Sequence, residues 1–158
     1  MYTQIMEVRW NDMDANAHLA NSAYVQMGAN ARLGFFNSLG LTMDRMKHLQ
    51  LGPIIFQEQL FYFQEAHLGE ELRITVALSG LSNDGRFFET HQEFYNATGD
   101  NLARILLTGG FMDLNARKIS PLPAADIAPF WQIEKTDDFK ILTSADTRKW
   151  GQHPRPWS

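Results

Sequence analysis

Cysteine is absent from this 158-residue chain, which excludes disulfide bonds, thiolate nucleophiles and most structural zinc sites. Long apolar runs are lacking too, since no uninterrupted stretch approaches the ~18 residues that span a bilayer. The first residues, Met1 to Ile5, carry neither the basic segment nor the apolar core of a secretory signal. We therefore expect a soluble, cytoplasmic protein with no membrane contact.

A surplus of positive charge is also missing. The chain has 14 Lys and Arg against 18 Asp and Glu, with a net charge of −4. General nucleic-acid binding, which needs a basic surface, is not expected. A local group of arginines could still bind phosphate. What the chain does have is apolar material, 44% hydrophobic residues with eleven Phe, in a length typical of one domain.

The first third of the chain reads as strand, loop and helix. A strand is predicted at 5–10, a long helix at 21–38 and a short helix at 43–50. Five residues share one face of the long helix by their i, i+3, i+4, i+7 spacing: Tyr24, Met27, Gly28, Ala31 and Phe35. The glycines lower helix propensity by ~1 kcal/mol each. We therefore predict a slim helix that is buried on most sides.

Everything from 54 to 113 reads as strand. Strands are predicted at 53–64, 72–79, 86–95 and 102–113, separated by turns such as Asn83-Asp84-Gly85. Gly109-Gly110 indicates a bulge or a close backbone approach. The order predicts an α+β domain over 1–123, with a sheet curled around the long helix. Residues 124–158 form an extension packed on or trailing from it, with a short helix at 125–133 and no regular structure expected beyond 135.

Two carboxylates and an imidazole precede the long helix. Asp12, Asp14 and His18 lie between the first strand and Asn21, where the helix is predicted to begin. A helix start offers unpaired backbone N–H groups and a partial positive charge, which can stabilise an oxyanion. A carboxylate opposite such donors is a minimal arrangement for activating water at a carbonyl carbon.

This segment resembles the hotdog-fold acyl-CoA thioesterases of the 4-hydroxybenzoyl-CoA thioesterase type. The likeness rests on Arg9-Trp10-Asn11-Asp12-Met13-Asp14, followed by His18, Asn21 and Tyr24. It continues through Gly69-Glu70-Glu71-Leu72 and Asp113-Leu114-Asn115-Ala116-Arg117-Lys118, and it covers about residues 5–123. Two positions depart from the family pattern: Ala17 replaces the usual Gly, and Ala20 replaces the first of two Asn residues.

The resemblance implies a hotdog fold, an antiparallel sheet of about five strands wrapped around one long central helix. It also implies hydrolysis of an acyl-CoA thioester, with Asp14 as nucleophile or general base and the helix N-terminus around Asn21 as the oxyanion site. No cofactor is implied. The active site of this family lies at a subunit boundary, so a homodimer or homotetramer is expected.

Each assigned residue has a second interpretation. Asp14 and Asn21 could simply cap the loop and the helix, and His18 could orient the loop instead of contacting substrate. Asp12 is expected to pair with Arg9 or to order the loop, and Glu58, a second candidate carboxylate, is expected to form an ion pair. An acyl pocket is assigned to Tyr24, Met27, Ile54, Ile55 and Phe56, which could equally be core. Binding of CoA phosphates is assigned to Arg86, Arg117 and Lys118, which could equally be solvated charges.

A metal site is not expected, because Asp12, Asp14 and His18 lie in one tight loop without a further ligand from elsewhere. Two other functions stay open. A non-catalytic acyl-CoA or acyl-carrier binding module is suggested by Ala20. An enoyl-CoA hydratase shares the fold, but its motif has a Gly before the acidic pair and a Pro after Asn16, and this chain has neither.

Overall fold

The computed structural model describes residues 1–157 and has seven strands and three α-helices in that range. Their bounds are β1 (Tyr2–Glu7), α1 (Asn21–Ser38), α2 (Met43–Leu49), β2 (Leu51–Tyr62), β3 (Glu71–Leu81), β4 (Phe87–Tyr95), β5 (Asn101–Asp113), β6 (Lys118–Ile119), α3 (Ala124–Gln132) and β7 (Lys135–Ile141). The first strand begins and ends earlier than predicted, and a 3₁₀ turn at Trp10–Asp12 begins at the predicted last residue of the strand. Within residues 1–157 no helix is long and apolar enough to span a membrane.

The main strands form one antiparallel sheet in the order β1-β3-β4-β5-β2. The predicted apolar face of β3 is confirmed, since Leu72, Ile74, Val76 and Leu78 are fully buried, but the other face is not free, because Thr75 (6% exposed) and Ser79 (2%) are buried too. They form one core with the apolar face of α1. The predicted α+β architecture, a sheet of about five main strands with one long helix at its core, is confirmed as a hotdog fold.

Helix α1 has the predicted bounds, and its buried residues include all five of the predicted face. Its end is a Schellman motif: the N–H of Leu41 donates to the Phe36 carbonyl and that of Gly40 to the Asn37 carbonyl. Gly40 has φ 84°, which glycine adopts without strain. The expectation of burial on most sides is wrong, because the face that carries Gln26 and Asn30 is exposed.

The close approach predicted at Gly109-Gly110 is confirmed. The pairing of β2 with β5 shifts by one residue between Ile55 and Gln57, opposite Gly109 and Thr108. A Cβ on Gly109 would lie 2.7 Å from the Ile54 carbonyl oxygen. Only glycine therefore fits at this bulge, which bends β2 along the outer edge of the sheet.

The last residues depart from the sequence-based expectation. Residues 135–141, expected to be irregular, form β7, which pairs in parallel with the end of β3 at Gly80 and Leu81. Just after it, Leu142 is buried at 3% exposure, and Phe130 of α3 is fully buried. The segment Lys-Thr-Asp-Asp-Phe-Lys-Ile has no alternating apolar pattern. Its strand forms because the edge of β3 beyond β1 offers free backbone partners, which residue types do not reveal.

Candidate active site

The loop between β1 and α1 is held by its own backbone and by Asp12. The Asp14 N–H donates to the His18 carbonyl (2.9 Å) and the Ala20 N–H to the Asp12 carbonyl (2.8 Å). The Asp12 carboxylate accepts the Arg9 N–H at 2.9 Å, so its expected role in ordering the loop is present. These bonds connect the two sides of the loop and place Asp14 beside the start of α1.

The Asp14 carboxylate uses one oxygen to hold the turn. Its Oδ1 accepts the N–H of Asn16 at 2.8 Å and the N–H of His18 at 3.2 Å. The turn-capping interpretation is therefore part of its role. Its second oxygen, Oδ2, has no hydrogen-bond partner among residues 1–157, and Asp14 is exposed in one chain. One oxygen positions the side chain, and the other remains available to a bound molecule.

Helix α1 begins next to this carboxylate. Ala20 is the N-cap and supplies no capping side chain, and the N–H groups of Ala23 and Tyr24 donate to the Ala20 carbonyl. Within the described chain the amides of Asn21 and Ser22 have no hydrogen-bond partner. The positive end of an 18-residue helix thus presents two free donors. The Asn21 side chain does not cap the helix.

These elements border one cavity of about 320 Å³. Its wall combines the Asp14 loop, the first turn of α1 and the segment that follows β2. The lining residues are Asp14, His18, Leu19, Asn21, Tyr24, Tyr62, Phe63, Gln64 and Glu65. Four of the residues assigned from sequence, Asp14, His18, Asn21 and Tyr24, therefore meet in one place.

Tyr24 forms the inner wall of the cavity and is 3% exposed. Its ring makes edge contacts with Tyr62 at 5.4 Å and Phe94 at 5.3 Å between centroids. Burial, followed by the charges of Tyr62, Glu70 and Glu65, raises the pKa of Tyr24 to about 12. A tyrosine hydroxyl is already protonated at neutral pH, so this shift only extends the protonated range to higher pH.

A second loop, residues 63–70, completes the site and was missed by the sequence analysis. Glu65 Oε2 lies 3.0 Å from His18 Nε2 and 3.8 Å from His67 Nε2. Main-chain bonds join the two loops, with the Leu19 N–H donating to the Ala66 carbonyl at 2.8 Å. The run Glu65-Ala66-His67, separated from the end of β2 by two residues, was the available signal, but only the fold shows that it meets His18.

Comparison with known families agrees with this arrangement. A family model described as the thioesterase-like superfamily matches residues 8–131. The chain belongs to the thioesterase-like superfamily. The resemblance inferred from the motif is confirmed, and so is the enzyme class of thioester hydrolase, at the level of the family. A comparison with curated protein sequences finds no match.

Solved structures support the same fold. A Staphylococcus aureus protein solved in complex with CoA has a TM-score of 0.78 at 15% identity, over 98% of this chain and 94% of that one. A 1,4-dihydroxy-2-naphthoyl-CoA thioesterase from Synechocystis has a TM-score of 0.74 at 19% identity, over 84% and 96%. A gentisyl-coenzyme A thioesterase has a TM-score of 0.73 at 16% identity, over 81% and 98%. At these identities the likeness concerns the fold.

The other residues assigned from sequence to this thioesterase-like site lie elsewhere in the single chain. Ile54 and Ile55 are in the first half of β2, whose far end reaches the cavity at Tyr62. Arg86 pairs with Asp84 at 2.7 Å in the β3–β4 hairpin. Arg117 lies in the β5–β6 turn and Lys118 is the first residue of β6, and both are exposed. One chain alone does not bring these five residues to Asp14.

Met27 and Phe56, also assigned to the acyl pocket, and Glu58 lie outside the cavity as well. Met27 belongs to the core, and Phe56 stands at the β2 bulge against Phe87, with ring centroids 6.1 Å apart. The Glu58 carboxylate pairs with the buried Arg32 guanidinium at 3.6 Å, which is the expected ion pair. Burial lowers the pKa of Arg32, and the Glu58 charge opposes that shift.

Proposed function

We propose that this protein hydrolyses acyl-CoA thioesters in the cavity between the Asp14 loop and the start of α1. The observation that carries the proposal is one juxtaposition. A carboxylate with a free oxygen, the first residue of α1 with its free backbone amide, and a set of aromatic walls border the same 320 Å³ space. These are the parts that attack on a thioester carbonyl requires: a nucleophile or base, an oxyanion site and an acyl-binding wall.

Asp14 acts on the thioester carbon in one of two ways. As a nucleophile, its carboxylate oxygen bonds to the carbonyl carbon, the C–S bond breaks, and CoA leaves as a thiolate that takes a proton from water. Water then hydrolyses the resulting anhydride and restores the carboxylate. As a general base, Asp14 accepts a proton from the water that attacks, and the thiolate takes up that proton. In both cases Oδ1, fixed by the Asn16 and His18 amides, orients the side chain.

The first turn of α1 stabilises the oxyanion that either route produces. The free amides of Asn21 and Ser22 lie at the positive end of the helix, and Asn21 lines the cavity beside Asp14. Loss of one oxyanion donor in a hydrolase costs ~3–4 kcal/mol of barrier stabilisation. Tyr24 lines the same cavity, and its protonated hydroxyl is a further candidate donor. His18 contributes its amide to Asp14 and its ring to Glu65.

The acyl group is proposed to be planar and aromatic. Three aromatic side chains, Tyr24, Tyr62 and Phe63, line the cavity, and aromatic rings pack favourably edge to face. Two of the structurally similar enzymes are described as acting on 1,4-dihydroxy-2-naphthoyl-CoA and gentisyl-coenzyme A. A screen with benzoyl-type and straight-chain acyl-CoAs of graded length, read by thiol release, tests this choice. Faster release from the straight-chain compounds would refute it.

The catalytic test compares three matched variants on the best substrate of that screen. Asp14→Asn keeps an oxygen for the Asn16 and His18 amides but removes the charge, so we expect turnover to fall at least 100-fold. Asp44→Asn, which changes an exposed carboxylate of α2 outside both the cavity and the Asp14 loop, is the control and should retain wild-type turnover. Glu65→Gln tests the other carboxylate of the cavity. Wild-type turnover in Asp14→Asn would overturn the assignment, and a loss confined to Glu65→Gln would transfer it to Glu65.

The same assay separates the two other candidate functions. The main rival function is a module that binds acyl-CoA without cleaving it. It is favoured by the two loop amides that already donate to Asp14 Oδ1. Tight binding of an acyl-CoA with no thiol released over many hours would establish that function. Hydration of a crotonyl-type thioester without thiol release would establish an enoyl-CoA hydratase.

A dimer through the free edge of β2 is proposed to complete the site. Among residues 1–157 no strand pairs with the outer edge of β2, which exposes apolar side chains such as Ile55 (45%) and Tyr62 (51%). Long apolar edges are templates for pairing with another chain. An antiparallel pair with its two-fold axis near Glu58 would lay the partner's Ile54 opposite Tyr62, beside the cavity. This would give Ile54 and Ile55 the acyl-binding role expected from sequence.

Light scattering after size exclusion tests the dimer. Ile55→Lys should yield monomers with reduced thioesterase activity, because it puts a charge on the pairing edge. Ile141→Lys, an equally exposed isoleucine on β7, is the control and should leave the mass unchanged. A dimer that survives Ile55→Lys would contradict this interface.

A cytoplasmic location remains a prediction, which imaging of the tagged chain in its host would test.

A further inference from the structure

Two histidines and a glutamate from two different loops meet at the mouth of the cavity. One ligand atom of each of His18, Glu65 and His67 lies within 4.8 Å of the other two. The sequence analysis considered only Asp12, Asp14 and His18 as metal ligands and expected no further ligand from elsewhere in the chain. The fold instead brings His18 to a pair of ligands nearly fifty residues away.

The spacing is close to that of a tetrahedral metal site. Glu65 Oε2 lies 3.0 Å from His18 Nε2 and 3.8 Å from His67 Nε2. In a tetrahedral zinc site with bond lengths of about 2.0–2.2 Å, neighbouring ligand atoms are about 3.3–3.5 Å apart. Small rotations of exposed side chains would therefore bring all three atoms to bonding distance of one ion. Both imidazoles approach the same carboxylate oxygen, which gives the three groups a common centre.

The surroundings support such a centre. His67 Nδ1 lies 3.3 Å from Glu70 Oε1, and a second carboxylate on the far nitrogen of a ligating histidine fixes its tautomer and raises its basicity. The backbone is also fixed, since the Val8 N–H donates to the Glu70 carbonyl and the Gly69 N–H to the Val8 carbonyl, both at 2.9 Å. The two loops are thus held together before any ion arrives.

A surface ion-pair network is the plainer interpretation of these contacts. Pairs this exposed contribute little, typically ~0–1 kcal/mol, and need no common centre. In this cluster, however, both imidazoles approach one oxygen of Glu65, and the Glu70 carboxylate lies against the other nitrogen of His67. A surface network requires neither feature. The ligand set, two imidazoles and a carboxylate with an open position, is the one found in hydrolytic zinc sites.

We propose that His18, Glu65 and His67 bind one divalent transition-metal ion of the zinc class, with Glu70 supporting His67. Imidazole ligands favour Zn²⁺ and Co²⁺, whereas Mg²⁺ prefers oxygen ligands. Because Glu65 and His18 also line the cavity, the ion would lie in its wall.

Equilibrium dialysis of the untagged full chain against Zn²⁺, after chelator treatment, tests the proposal. We expect one ion per chain, unaffected by millimolar Mg²⁺. His67→Asn should weaken binding by at least the about 10–100-fold that loss of an outer partner costs, and Glu70→Gln by about tenfold or more. His48→Asn changes an exposed histidine of α2 outside the cluster and should bind as the wild type does.

Three results would overturn the proposal: no zinc retained by the wild type at micromolar free Zn²⁺, equal affinity of His67→Asn and His48→Asn, or displacement of zinc by Mg²⁺. His67 and Glu70 are in a surface loop and outside the cavity lining, so both variants should fold, which circular dichroism checks. The measurement uses no acyl-CoA. Its failure would therefore leave the proposed thioesterase activity untouched, and the reverse also holds.

Discussion

Ala17 occupies a backbone conformation that favours glycine, and this makes a sharp prediction about the Asp14 loop. Its φ is 60°, in the left-handed region. A residue with a Cβ loses roughly 1–2 kcal/mol there. Glycine removes that cost but adds freedom to the unfolded chain worth about 0.4–1 kcal/mol. Because the Ala17 methyl group is exposed, no packing is lost. We expect Ala17→Gly to raise the free energy of unfolding by roughly 0.5–1 kcal/mol.

Ala15→Gly is the matched control. Ala15 lies in the same loop and is also exposed, but its φ is outside the left-handed region. Glycine there adds only unfolded-state freedom, so we expect the free energy of unfolding to fall by about 0.4–1 kcal/mol. Urea unfolding at one fixed protein concentration measures both, because association would otherwise shift the midpoints. An Ala17→Gly midpoint at or below that of Ala15→Gly would refute the reasoning.

Two further predictions concern buried polar groups. Burial raises the pKa of Tyr24 to about 12 from 10 in the unfolded chain, so its contribution to stability is complete below pH 10 and is lost as the pH rises towards 12. Tyr24→Phe should therefore weaken the pH dependence of the urea midpoint between pH 10 and pH 12. A pH dependence equal to that of the wild type would contradict this. Arg32→Met leaves the Glu58 carboxylate without its buried partner and should lower the free energy of unfolding by about 3 kcal/mol. Arg32 also donates to the buried Gln92 Oε1 at 3.1 Å, a bond that both variants lose, so Arg32→Met/Glu58→Met should recover only part of the loss. A double variant no more stable than the single one would argue against the pair.

The sequence predicted the elements whose cause is local. The α1 bounds followed from apolar spacing and from Gly40, whose positive φ ends the helix. The buried face of β3 followed from strict alternation. The bulge beside Gly109 followed from a glycine pair in a strand. In each case the residue types near the feature decide it, so a pattern is enough.

Features that depend on distant partners escaped prediction. β7 is a strand because the edge of β3 lies beside it, and its own residues do not indicate this. Glu65 and His67 belong to the site because backbone bonds join two loops that are far apart in sequence. The face of α1 that carries Gln26 is exposed in one chain although its glycines suggested burial.

The two loops of the site are joined through main-chain groups: Val8 with Gly69 and Glu70, and Leu19 with Ala66. Every residue except proline carries those groups, so exchanging side chains along the rim leaves the framework intact. These main-chain bonds do not depend on the side chain at position 20, where alanine replaces the family's usual Asn. They imply that a new substrate preference can be engineered here by rim substitutions alone, without rebuilding the scaffold beneath.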